Sequence, residues 1–416
     1  MLFEDLYEDL EERRKKAVKM GGTEKVKRQH KQGKFTARER IEKIVDPGSF
    51  MEFGLLAHSD QPGMAEKTPA DGLIMGYALV NGRRAGIIAH DFTVLASTNA
   101  EVNLRKLLQF KTQIKKYKLP LVFFGEAGGA RMPDCQGSAG IYKIEGGAPD
   151  ALFPEFCHFR EYPFVFGAFG QCYGVADFEA CAADVVVQVK GSAIAVSGPR
   201  ALGKAIGETY SGEEMGGWEI HSKETGMTDI VAEDEEDCFR IIKKYLDYMP
   251  SSHDELPPVR PVPEKSQIEE RMSKIVDILP PKRNRVYDMH KIIECLLDEG
   301  DDYLELKPHF GGMLITCLGR INGQVVGLIA SNPIVNLGAT NTDALEKSTS
   351  FMCLCDSFNI PLIFLADTPG HLTGKEAELN RVGSRVVNNV QALSLGVYIT
   401  QDLKIYVKFY HAAFFR

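Results

Sequence analysis

The sequence predicts an α/β fold laid down twice along one chain. Three observations carry this expectation: an internal duplication, Asn-Gly turns at matching places in both copies, and a cluster of prolines between them. Aligned with itself at a shift of 241 residues, the 416-residue chain places 72–130 over 313–371 without a gap, with 15 identities in 59 positions. The identities fall where backbone geometry is demanding: Asn81-Gly82 on Asn322-Gly323, Gly86 on Gly327, Pro120-Leu121 on Pro361-Leu362, and Gly129 on Gly370. Each copy is therefore expected to fold the same way.

Residues 1–48 come first, dense in charge and sparse in apolar positions, and they read as an extended helical arm rather than a core element. Asn-Gly between two apolar runs is a strong hairpin signal, because both turn positions favour positive φ. It predicts paired strands over 73–80 and 84–90, and again over 314–321 and 325–331. Apolar residues at helical spacing follow, Leu104, Leu107, Leu108 and Ile114 in copy one, and Leu345, Phe351, Met352 and Leu354 in copy two. A buried strand over 121–124, or 362–365, then delivers a small acidic loop. That loop runs from Glu126 to Ala130 in copy one and from Asp367 to His371 in copy two. No strand leads into G-x-G-x-x-G, so a dinucleotide-binding fold is not expected.

Between the copies, Pro250, Pro257, Pro258, Pro261, Pro263, Pro280 and Pro281 lie among charged residues, a linker composition. The expected division is an N-terminal domain over 1–250, a linker over 251–285 and a C-terminal domain over 286–416.

Composition bounds the function. Hydrophobic residues at 44% and charged residues at 25% are those of an ordinary globular protein. A net charge of −8 argues against general nucleic-acid binding, which needs cations to neutralise phosphates. The N-terminus opens on Glu4, Asp5, Glu8 and Asp9 rather than an apolar signal core, so a cytoplasmic location is expected. The nine cysteines form no C-x-x-C pair, and reduced thiols are expected. Cys353 and Cys355 lie two apart on a helix, pointing to different faces, and no metal site is expected. No Walker A sequence is present.

The run from Lys34 to Phe53 (KFTARERIEKIVDPGSFMEF), with PADG before Leu73, HDFTV over 90–94 and GGAR over 128–131, resembles the carboxyltransferase subunit of propionyl-CoA and related acyl-CoA carboxylases. The resemblance covers about residues 1–400. It implies two tandem crotonase-like ββα superhelical domains, one holding an acyl-CoA and the other carboxybiotin. It also implies active sites between subunits of a homo-oligomer, often a hexamer. Biotin would arrive on a separate biotin carboxyl carrier protein, loaded by a biotin carboxylase, or the chain would serve a membrane decarboxylase. The lack of a four-cysteine zinc ribbon favours the propionyl-, methylmalonyl- or methylcrotonyl-type branch.

Carboxyl transfer develops negative charge on the thioester carbonyl and on the ureido carbonyl, so two oxyanion holes are required, each best built from preset backbone N–H groups. By the resemblance, Gly129 and Ala130 supply one donor, and Gly174 and Val175, in the Gly170–Ala176 segment leading into a helix, supply another. The family pattern has alanine where Tyr173 stands and glycine where Val175 stands, which is expected to narrow the site or alter its backbone and leaves the acyl-chain preference open. In copy two Gly370 and His371 take the corresponding place for biotin. Gly128, Arg131, Gly170 and Pro369 are expected to line the ligands. The partner loop of copy two should fall at 411–416, where His-Ala-Ala-Phe-Phe-Arg shows no glycine turn. The second domain is thus expected to be truncated.

Other readings stand beside these. His90 is as readily a satisfied core residue as a base. Arg131 contacts phosphate or pairs with Glu126 or Asp134. Asn332, Asn336 and Asn341 shape loops. Lys19-Met20 lies in a charged helical stretch, which does not suit a biotin-attachment hairpin. Decarboxylation or transcarboxylation at the same site, a catalytically impaired scaffold, and a hydratase using Glu126 and Asp134 are the alternative functions.

Overall fold

A computed structural model describes residues 3–132, 134, 160–262, 264–282, 285–298, 300, 302–395 and 406–408. Both Asn-Gly turns form as the sequence requires. Asn81 (φ 51°) and Gly82 (φ 76°) close one hairpin, and Asn322 (φ 51°) and Gly323 (φ 75°) close the other. In each, an aspartate from outside the hairpin accepts both turn amides: Asp46 from Asn81 and Gly82, and Asp298 from Asn322 and Gly323. The hairpin strands are β2 (Leu73–Val80) with β3 (Arg83–His90), and in copy two β10 (Leu314–Ile321) with β11 (Gln324–Ser331).

The described residues form two units, 1–220 with 231–243 and 221–230 with 244–416. The first opens with α1 (Glu4–Ala17), α2 (Thr23–Lys31) and α3 (Ala37–Ile44). Its sheet runs β1 (Met51–Phe53), β2, β3, β4 (Leu121–Gly128), β5 (Phe164–Tyr173), β6 (Val185–Val189) and β8 (Ile230–Ala232), with β7 (Ala193–Ala195) pairing the end of β5. Pairing is antiparallel through the hairpin and parallel from β3 to β6. The second unit repeats the arrangement with β9 (Leu304–Leu306), the β10–β11 hairpin, β12 (Leu362–Ala366) and β13 (Tyr406–Lys408).

Helix α4 (Glu101–Tyr117) connects β3 to β4, burying Leu107, Phe110 and Ile114. The helix over Thr342–Ser357 does the same in copy two. Both need a glycine beneath them. A Cβ on Gly86 would lie 2.2 Å from Ile114 Cδ1, and one on Gly327 would lie 2.6 Å from Cys355 Sγ. Ile114 and Cys355 are themselves 241 apart, so the duplication extends to the packing.

Two expectations are corrected. The N-terminal segment is not wholly an exposed arm: α3 buries Ala37, Arg40, Ile41 and Ile44, and its start is fixed by a Thr36–Glu39 capping box. Lys19 and Met20 lie in the turn after α1, Met20 with φ 53°, not within a helix. Lys265–Ser273 and Ile275–Ile278, inside the proline-rich stretch, are helical. Among the described residues no helix is long and apolar enough to cross a membrane.

Candidate active site

Strand β4 carries the acidic loop of copy one. Its parallel register with β5 slips after Gly125–Ala168 and resumes at Ala127 opposite Cys172 and Gly128 opposite Tyr173, so the extra residues of the irregularity lie on β5 and face Glu126. The loop after β4 and the turn after β5 are thereby set side by side. Gly129 has φ +93° and Gly174 φ +65° with ψ −122°, a backbone region open only to glycine. A Cβ on Gly174 would lie 3.5 Å from Gly129 Cα. Val175 then begins α5 (Val175–Ala182), whose N-cap Gly174 brings no side-chain acceptor to the first turn. Among the described residues neither Ala130 N–H nor Val175 N–H meets a hydrogen-bond acceptor. Two N–H donors on adjoining glycine turns, one of them at a helix N-terminus, suit a developing oxyanion.

The loop is braced from below. Leu95, Ala96 and Ser97 all have positive φ (48°, 54° and 48°), a left-handed turn that non-glycine residues adopt only at a cost. Gly128 packs on it, since a Cβ there would lie 3.2 Å from Ala96 Cβ. Asn99 N–H donates to Gly129 O at 2.8 Å, and Arg131 N–H returns to Asn99 O at 2.8 Å. The Arg131 side chain is buried and committed: Nη1 donates to Asp71 at 2.7 Å and Nη2 to Thr98 O at 3.0 Å. The pairing expected with Glu126 or Asp134 is therefore replaced by Asp71, which the PADG turn places beneath the loop.

Glu126 is the centre of a buried charge cluster. Lys34 Nζ donates to Oε1 at 2.7 Å, while Arg40 Nη1 and Gln29 Nε2 donate to Oε2 at 2.6 and 2.9 Å. Arg40 also makes a fork to Glu235, with both bonds 2.8 Å. Burial by itself would raise the Glu126 carboxyl, but Arg40 and Lys34 outweigh it and hold the group below its usual range. Its backbone N–H donates to His90 Nδ1 at 3.3 Å. Burial pushes His90 down to about 3, so it is a neutral core acceptor and not a base poised near neutrality. Gly170 makes room for the cluster, since a Cβ would fall 2.4 Å from Glu126 Oε1. Tyr173 turns its ring onto Gly198, where a Cβ would lie 2.8 Å from Cδ2.

Beside this cluster lies a cleft of about 590 Å³ whose lining includes Lys25, Arg28, Lys34, Arg200, Ala96 and Glu126. Among the described residues Lys25, Arg28 and Arg200 have no carboxylate partner. An open cleft edged by uncompensated cations fits an anionic ligand.

Residues 28–400 match the carboxyl transferase domain family. The chain belongs to that family. It is 31% identical to the propionyl-CoA carboxylase carboxyltransferase subunit of Haloferax mediterranei, over 92% of this chain and 73% of that protein. It is 33% identical to the methylmalonyl-CoA decarboxylase α subunit of Veillonella parvula, over 87% and 70%. Among solved structures it is similar to transcarboxylase 12S, a hexamer with methylmalonyl-CoA bound, with 30% identity, TM-score 0.83 and coverage of 94% of this chain and 74% of that one. The α/β fold of two tandem crotonase-like domains follows, and the chain is a carboxyltransferase of the biotin-dependent acyl-CoA type.

In the second half of this carboxyltransferase the same loop recurs. Gly370 has φ +127°, Thr340 N–H donates to Gly370 O at 3.0 Å, and Leu372 N–H to Thr340 O at 2.9 Å. His371 Nδ1 and Thr340 Oγ1 are 2.7 Å apart, and Pro369 is exposed beside them. Gly370 N–H is taken by Thr368 Oγ1 at 3.1 Å, which leaves His371 N–H without an acceptor among the described residues. The expected partner turn at 411–416 lies outside the described residues. Lys25, Arg28 and Arg200 were not singled out from sequence, although Lys34 and Arg40 stood in the motif that carried the resemblance.

Proposed function

We propose that this carboxyltransferase moves a carboxyl group between carboxybiotin and the α-carbon of a short or branched acyl-CoA, using backbone amides as oxyanion donors. Carboxybiotin is a substrate here, delivered on a separate carrier protein. In the forward direction the N–CO₂ bond of carboxybiotin breaks and the α C–H bond gives up its proton. The carbon electron pair forms the new C–C bond, and the proton ends on the ureido nitrogen. Charge develops on the thioester oxygen and the ureido oxygen, and the chain's own contribution is to hold N–H groups where that charge appears.

The carrying observation is the pair of amides, Ala130 and Val175, that meet no acceptor among the described residues and lie on glycine turns beside a cationic cleft. Gly129, Ala130, Gly174 and Val175 are assigned to the thioester hole, with Gly128 and Gly170 keeping it open. Gly370 and His371, flanked by Pro369, are assigned to the ureido side. Arg131 braces the loop rather than meeting the ligand. The phosphates of CoA suit Lys25, Arg28 and Arg200. In this reading the domain over 1–250 takes the acyl-CoA, the domain over 286–416 takes biotin, and 251–285 links them. The enzyme works as a homo-oligomer, a hexamer by likeness to transcarboxylase, in the cytoplasm, with a biotin carboxylase or a membrane decarboxylase recharging or discharging the carrier.

The test is decarboxylation of methylmalonyl-CoA with and without free biotin. Biotin-dependent loss of methylmalonyl-CoA is the expected result. CoA binding with no turnover under either condition would favour the scaffold reading, and turnover of an enoyl-CoA without biotin would favour the hydratase.

A further inference from the structure

Glu126 is a buried carboxylate on the strand that leads into the glycine loop, and among the described residues its side-chain partners all come from one place. Gln29 lies on α2, Lys34 on the turn after it and Arg40 on α3. Helix α2 also carries Lys25 and Arg28, the cations that edge the cleft. Four residues after Glu126 comes Ala130, whose N–H is free of described acceptors. One buried side chain thus joins the helix bearing the cleft's cations to the strand bearing the oxyanion loop. Arg40 extends the junction by its fork to Glu235.

We infer that Glu126 is a positioning residue that clamps the α2–α3 segment to β4, setting the distance between the cleft's cations and the loop amides. This deepens the proposed function, because it rests on the CoA phosphates occupying the cleft. The carboxylate is not a proton carrier: both oxygens already accept from cations. Its replacement therefore changes how well a remote phosphate contact is converted into correct placement of the thioester.

The distinguishing measurement compares methylmalonyl-CoA with methylmalonyl-pantetheine, which keeps the thioester and lacks the phosphates, in biotin-dependent decarboxylation by the full chain. Glu126→Gln is expected to raise KM for the CoA thioester about tenfold or more, while kcat/KM for the pantetheine thioester stays within about twofold of the parent. Equal losses on both substrates would overturn the proposal, since a general structural or acid–base role acts on either thioester. Arg40→Lys, which keeps the charge and loses the fork to Glu235, provides a second reading if Glu126→Gln fails to fold. It should show the same CoA-selective rise in KM, and an unchanged preference between the two thioesters overturns the clamp. The double variant Lys25→Ala/Arg28→Ala separates the two layers. If it leaves the preference for the CoA thioester intact, the placement of phosphates in this cleft fails and the proposal with it. If it abolishes that preference while Glu126→Gln does not alter it, the cleft stands and only the clamp is overturned.

Discussion

The two copies share a backbone and differ in how they secure its acidic loop. In copy one, Glu126 is held by Lys34, Arg40 and Gln29, and its N–H is capped by His90. At the matching position in copy two, Asp367 accepts from Tyr287 Oη at 2.8 Å, and its N–H is capped by Ser331 Oγ at 3.1 Å. Arg131 and Asp71 form a buried ion pair in copy one, and their counterparts 241 residues on are Leu372 and Gly312, which carry no charge. By contrast, Lys106 and Lys347 are kept. Each is buried, pushed down to about 8 by that burial, and donates to the first residue of its hairpin, Leu73 O at 2.5 Å and Leu314 O at 2.8 Å. What both copies keep is what fixes the chain path, namely the glycines, the hairpin turn and the lysine pin. The charged bracing is peculiar to the copy that lies beside the cationic cleft.

The largest effect should come from the loop that both copies share. Gly129→Ala forces a side chain onto φ +93° and moves the Ala130 donor, so decarboxylation should fall about 10²–10³-fold with CoA binding retained. A turnover within threefold of the parent would remove Ala130 from the oxyanion hole. Next comes the ion pair absent from copy two. Arg131→Met leaves Asp71 buried without its cation, and denaturant unfolding should show a loss of about 3–5 kcal/mol. Adding Asp71→Asn should recover part of it, and no recovery would show that the pair is not the brace.

Tyr287→Phe removes one neutral donor from Asp367 in copy two. The expected cost is about 1–2 kcal/mol, less than that of breaking the charged brace in copy one. A cost as large as that of Arg131→Met would erase the contrast between the copies. The smallest effect is a pH slope. His90 binds its proton near 6.5 when unfolded and near 3 when folded, so between those values the unfolded chain holds more protons and stability falls as pH falls. Asp91, raised to about 6 by burial, acts in the opposite sense from about 3.8 to 6. The informative quantity is thus the difference between the parent and His90→Asn, whose Oδ1 can stand in for Nδ1. The variant should lose less thermal stability between pH 6.5 and pH 5, and parallel curves would mean that His90 is protonated in the folded chain.

Much of the fold was legible because duplication repeats it. The hairpins came out one residue longer on their second strands than 84–90 and 325–331, since Arg83 and Gln324 pair with Val80 and Ile321. The site was legible where glycine marks unusual φ, at Gly129, Gly174 and Gly370. It was not legible where charges meet across long separations. Arg40 and Glu126 are 86 residues apart, and Arg131 and Asp71 are 60 apart. The charge density that made residues 1–48 look like a solvated arm belongs in part to a buried network. The left-handed turn at Leu95–Ser97 had no sequence signal, because leucine, alanine and serine do not favour positive φ.

By itself the sequence determined the doubled α/β architecture, its turns and the glycine loops, since these depend on local backbone sterics and on hydrophobic periods written in adjacent residues. Only the tertiary structure decided which acid met which cation, that His90 is a neutral acceptor, and that the arm's lysines and arginines edge a cleft. Those outcomes depend on burial and on distance in space, and a charge carries no local mark of the partner that will desolvate it.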